Sequence, residues 1–134
     1  FSEIGPTYKM GPVTSQLVDA VNILLKARNL DQKVVYEMRS LFDKNDQLED
    51  VKEEENIMPY SSEAGRLGQA AITNTITGLD SVKTFLLPIL NVDSEDFDKM
   101  LDTMSKELKE FHSYNHLCRV HGRKKSELNA TKLY

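Results

Sequence analysis

Between Ser94 and Tyr114, apolar side chains fall at Phe97, Met100, Leu101, Met104, Leu108 and Phe111, while Lys106, Lys109 and Glu110 face away from them. Spacings of three and four residues place those six on one stripe of a helix. A helix with one apolar stripe must bury it against another element. Ser94 is positioned to cap the start, and Glu95, Asp96 and Asp98 lie in the first turn, where the helix dipole favours acids.

Other segments offer matching partners. Leu17, Val18, Val21, Leu24 and Leu25 share a face over residues 14–28, with Thr14 or Ser15 as the cap. Asn29 is placed to end that helix in a left-handed conformation, and Asp31 to start the next. Val34, Val35, Met38, Leu41 and Phe42 line a second helix, with one continuous helix over 14–46 as the alternative. Residues 61–87 predict a long third helix, capped at SSEA with Glu63 in its first turn and closed or kinked by Pro88. Small residues such as Gly68, Ala70, Ala71, Thr75 and Gly78 leave room for a neighbouring helix.

Residues 43–55, DKNDQLEDVKEEE, read as a solvated helix end and linker, with an acidic docking site as the alternative. Residues 1–13, with two prolines and two glycines, read as an extended arm. No alternating strand pattern and no Asn-Gly or Asp-Gly hairpin signal stands out. The expectation is therefore all-α: an up-down-up-down four-helix bundle over 14–116, an N-terminal arm over 1–13, and a basic C-terminal tail over 117–134 with room for a short helix.

At 134 residues the chain is sized for one domain. Its net charge of -4 argues against a general nucleic-acid binder. A single cysteine excludes an internal disulfide framework. No apolar run approaches the length needed to span a bilayer, and the stretch from Thr84 to Leu90 is broken by Pro88. The start at Phe1 rather than Met reads as a mature form whose targeting segment has been removed.

All three histidines and the cysteine fall in FHSYNHLCRVHGRKKSE, residues 111–127. On a continuing helix His112 and His116 share a face and could bind one metal, with Cys118 pointing elsewhere and His121 past the expected helix end. The spacing matches no common zinc pattern, and no acid is interleaved to orient an imidazole. A helix end with cations gathered at the C-terminal dipole accounts for the cluster more simply. No Glu has a His three residues later, as a di-metal carboxylate bundle requires. Walker, GxGxxG, HExxH and GxSxG motifs are absent. Asn129-Ala130-Thr131 is a glycosylation sequon.

The basic tail reads either as a solubilising end or as a docking element for an acidic partner surface. The proline-preset arm carries the same pair of readings, with Tyr8 and Lys9 as its natural anchors.

The stretch TNTITGLDSVKTFLLPILNVDSEDFDKMLDTMSKELKEF, residues 73–111, resembles the last two helices of the PsbQ family, the extrinsic proteins of photosystem II. The proline-containing arm before the first helix is similar as well. The absence of Trp, the long acidic linker and the basic tail make the chain look more like a divergent algal, diatom-type relative. The resemblance implies a four-helix bundle and a non-enzymatic extrinsic subunit without a cofactor of its own. Such a subunit sits in the chloroplast thylakoid lumen, peripheral to the membrane, and docks on the photosystem II core and other extrinsic subunits. There it shields the oxygen-evolving centre and helps retain calcium and chloride, with neither nucleic acid nor a small-molecule substrate as partner. Tyr8, Lys9, Arg119, Arg123, Lys124 and Lys125 are the docking residues expected on that reading. The rivals are a secreted four-helix signalling or ligand-carrying protein, the latter needing a cavity, and a metal-binding bundle using His112, His116 and Cys118.

Overall fold

The computed structural model of the chain describes residues 2–61 and 64–126. It overturns the all-α bundle, because three strands join the helices. They are β1 (Ser2–Tyr8), β2 (Leu48–Pro59) and β3 (Tyr114–Lys124). They form one antiparallel sheet in the order β1-β3-β2, so the last strand in sequence is the central one.

Each strand comes from a segment expected to be something else. β1 is the N-terminal arm, extended as read but paired to the chain's own β3. Pro6 falls in the register shift between Ile4 and Thr7 on this edge strand, where a missing N–H is tolerated. β2 is the acidic linker, with Glu49 opposite Arg123 and Glu54 opposite Arg119. Opposite charges facing each other across a ladder favour that pairing. Asp50, at φ 51°, carries the bulge between Glu49 and Lys52. β3 is the expected helix end and tail.

The helical expectations fare better. α1 (Pro12–Ala27) opens with Pro at its first position after Gly11. It ends at Asn29, as the sequence predicts. Leu30 N–H donates to Leu25 O at 2.8 Å and Asn29 N–H to Lys26 O at 3.0 Å, the paired bonds of a left-handed helix stop. The expected second helix is instead a 3-10 turn, Gln32–Tyr36, and a short α2 (Met38–Asp43). The expected long third helix is split at Val82 into α3 (Gly65–Ser81) and α4 (Lys83–Leu90), with Pro88 inside the latter. α5 (Ser94–Glu110) runs where its stripe places it, although Asp93 rather than Ser94 is the cap, its carboxylate accepting from Asp96 N–H at 2.7 Å. Ser62, Glu63, the sequon at Asn129 and the expected terminal helix lie outside the described residues.

Two apolar clusters result. The larger joins α1, α3, α4 and α5 through Leu17, Ile72, Leu86, Phe97, Met104 and Leu108, with Tyr60 at its margin. The smaller packs one face of the sheet, Cys118 and Val120, against Val35 and Met38.

Candidate functional site

The helices and the sheet meet where α5 hands over to β3. His112, at φ 52°, closes α5, with Ser113 N–H donating to Leu108 O at 3.1 Å and His112 N–H to Lys109 O at 3.3 Å. Ser113 is fully buried, donates its hydroxyl proton to Lys9 O at 2.6 Å and accepts Tyr60 N–H at 3.0 Å. One residue thereby fixes the end of β1, the start of β3 and Tyr60.

A second anchor lies beside it. Glu107 of α5 is buried and accepts from Thr14 N–H at 2.7 Å, Thr14 hydroxyl at 2.9 Å and Val13 N–H at 3.2 Å. A carboxylate from a distant helix thus caps α1, whose own cap residue, Gly11, has no side chain to do so. A Cβ on Gly11 would stand 2.5 Å from the Glu107 carboxyl carbon, so the close approach requires glycine.

A cleft of about 510 Å³ lies between α1, the 3-10 turn, α3 and α5, with Tyr60, the partner of Ser113, in its lining. Its walls are apolar: Val18, Val21, Leu25, Val34, Leu79 and Met104. The polar lining residues Thr7, Tyr60, Thr75 and Asn115 form one hydrogen-bond chain. Thr7 hydroxyl donates to Asn115 Oδ1 at 2.6 Å, and Asn115 Nδ2 donates to Tyr60 Oη at 2.6 Å. Tyr60 Oη meets Thr75 Oγ1 at 3.2 Å, and Thr75 Oγ1 donates to Ala71 O at 2.9 Å. Burial pushes the Tyr60 phenol up from its ordinary value, against the lowering effect of its bonds to Thr75 and Asn115. A second cavity of about 430 Å³ adjoins the first and shares Thr7, Val18, Leu25, Leu30 and Asp31 with it. An apolar hollow of several hundred Å³ with a few convergent polar groups is the usual form of a small-molecule site.

The docking residues expected from sequence are not brought together. Tyr8 is exposed, stacks on Tyr114 at 5.3 Å between ring centroids, and shares a 2.6 Å hydrogen bond with Tyr36. Lys9 is exposed at φ 56°. Arg119, Lys124 and Lys125 are also exposed. Arg123 is engaged by Glu49 at 3.2 Å and Asp50 at 2.6 Å. Tyr8 pairs with Tyr114, Arg119 lies midway along β3 and Lys124 pairs with Leu48, so Tyr8 and Lys9 are separated from Arg123, Lys124 and Lys125 by the length of β3, roughly 30 Å at strand rise.

The histidine cluster is dispersed as well. His112 sits in the turn rather than on a helix face shared with His116. His116 stacks on Tyr36 at 5.6 Å, with its Nε2 3.8 Å from Glu55. Cys118 lies on the same sheet face, and His121 on the other by strand alternation. Among the described residues no group of three or more His, Cys, Asp and Glu side chains is arranged to hold a metal, and no helix is long and apolar enough to cross a membrane.

Tyr60, Asn115, Thr7, Thr75 and Glu107 were not singled out as functional from sequence. Only the opposite charges of residues 43–55 and 119–125 hinted at the strand pairing that assembles them. No known protein family, curated protein or solved structure matches this chain.

Proposed function

We propose that the chain is a non-enzymatic binding protein that holds a small, largely apolar molecule in the cleft beside α1. The observation that carries this reading is the continuous chain of neutral hydrogen bonds from Thr7 to Thr75 set among the apolar side chains of the cleft. It develops the ligand-carrier alternative on a mixed fold in place of a bundle. The test is titration with Nile red, a neutral solvatochromic dye. Wild type is expected to give a saturable, blue-shifted emission, and Val18→Phe to abolish it, because Val18 lines both cavities. Ile23→Ser, at an exposed position of α1, is expected to leave it intact. A response that survives Val18→Phe overturns the reading.

As a second proposal, the chain docks as an extrinsic subunit of photosystem II in the thylakoid lumen. The exposure of Tyr8, Lys9, Arg119, Lys124 and Lys125 favours it. Long-range attraction by exposed lysines is screened by salt. Replacing Lys124 and Lys125 with Gln is therefore expected to weaken rebinding to salt-washed membranes and to flatten its salt dependence. Rebinding equal to wild type removes this proposal.

A further inference from the structure

We infer that the molecule held in the cleft is an uncharged amphiphile whose hydroxyl group enters first and bonds to the Tyr60–Asn115 end. This inference rests on the binding function proposed above. It follows from counting protons along the polar chain. The Thr75 hydroxyl gives its proton to Ala71 O, so it can only accept from Tyr60. Tyr60 therefore spends its one proton on Thr75 and accepts from Asn115 Nδ2. Thr7 spends its proton on Asn115 Oδ1. With the Asn115 amide reversed, Tyr60 would be asked to donate to both Asn115 and Thr75, and one contact would lack a proton.

What the chain leaves over is unequal. Lone pairs remain on Thr7 Oγ1, Tyr60 Oη and Asn115 Oδ1, against one remaining amide proton on Asn115. A ligand that only accepts, such as an ether, finds one donor and several repelling lone pairs. A hydroxyl can donate to a lone pair and accept from the amide at the same time. A carboxylate meets the same lone pairs with a full charge, and among the described residues the charged one that lines this cavity, Asp31, is also an acid. Leaving an ion there without a partner is costly. The apolar walls fit the hydrocarbon remainder.

The experiment is calorimetric titration of the full chain with octan-1-ol, its methyl ether and octanoate, alongside the Nile red titration. Octan-1-ol is expected to bind about tenfold more tightly than the ether, the scale of one net hydrogen bond, and more tightly than octanoate. Thr75→Val adds a readout that simple loss of packing does not move. Without Thr75 Oγ1 the Tyr60 proton turns to the cleft, so ether binding is expected to rise and the alcohol-to-ether ratio to fall towards one. Equal affinity for all three probes in wild type, with Nile red bound and displaced, overturns the hydroxyl inference and leaves the cleft in use. Failure of every probe, Nile red included, overturns the binding function as well.

Discussion

The two apolar clusters of this protein are held by different forces. Among the described residues, the helical cluster buries ten side chains, including Leu17, Leu86, Phe97 and Leu108 at full burial. The sheet cluster buries four, Val35, Met38, Cys118 and Val120. Apolar burial contributes about 1.5–3 kcal/mol for each large side chain, so the helical half can hold itself together by packing. The sheet half relies on the β2–β3 ladder and on the cross-strand ion pairs of Arg123 with Glu49 and Asp50. Exposed pairs of this kind contribute only ~0.2–1 kcal/mol each. Stability is therefore concentrated on the helical side of the Ser113–Glu107 junction.

The largest expected effect follows directly. Phe97→Ala should cost about 3–5 kcal/mol, since Phe97 is fully buried in the helical cluster. It should lower the amide protection of α5 and of the sheet together. Val120→Ala, in the smaller cluster, should cost about 2 kcal/mol. Its effect should appear in hydrogen exchange as faster β2 and β3 amides, with α5 protection kept. Equal loss in α5 from both variants would mean that the two clusters unfold as one unit.

The same division decides which parts were legible in the sequence. Period-3.6 stripes declared α1 and α5, and Asn29 marked its stop, because each signal lies within one turn or one helix. β2 has the sequence of a linker, because Glu53, Glu54 and Glu55 run together without alternation and acids disfavour strands. β3 shows only Cys118 and Val120 as an alternating buried pair, with His116 and Gly122 at the flanking positions of that face. Its partner strand lies more than 50 residues away, and charge complementarity at that distance leaves no local trace. The cleft was illegible for the same reason: Thr7, Tyr60, Thr75 and Asn115 come from four separate elements or turns, and none is unusual alone.

At the junction itself an intermediate effect is expected. Glu107→Ala should cost about 2–3 kcal/mol, because it leaves the Val13 and Thr14 N–H groups and the Thr14 hydroxyl without their acceptor. Glu107→Gln keeps one acceptor oxygen and should cost less than the alanine variant. Gly11→Ala should also destabilise, by about 1–3 kcal/mol, through its collision with the same carboxylate. Combining Gly11→Ala with Glu107→Ala relieves that collision, so their urea-melt losses should sum to more than the double variant shows. Simple additivity would place the strain of Gly11→Ala elsewhere.

The smallest effect is alkaline and separates the two clusters by chemistry rather than size. Burial, reinforced by the bond that the Cys118 thiol donates to Glu53 and by the charges of Glu53 and Glu55, pushes the thiol above its ordinary value of 9.0. In the unfolded chain that thiol ionises at its ordinary value, while in the fold it keeps its proton. The unfolded state then binds fewer protons, so stability is complete below about pH 9 and declines as pH rises through the folded value. Tyr60 is raised in the same sense from 10.0, so the margin of the helical cluster responds at higher pH. Labelling of Cys118 by a disulfide reagent at pH 8 should be at least about tenfold slower than in urea-unfolded chain, and the gap should narrow as rising pH ionises the folded thiol. Cys118→Ala should remove the early part of the alkaline decline. A decline that begins only with tyrosine ionisation, or that persists unchanged in Cys118→Ala, would show that the sheet cluster is not the alkali-sensitive half.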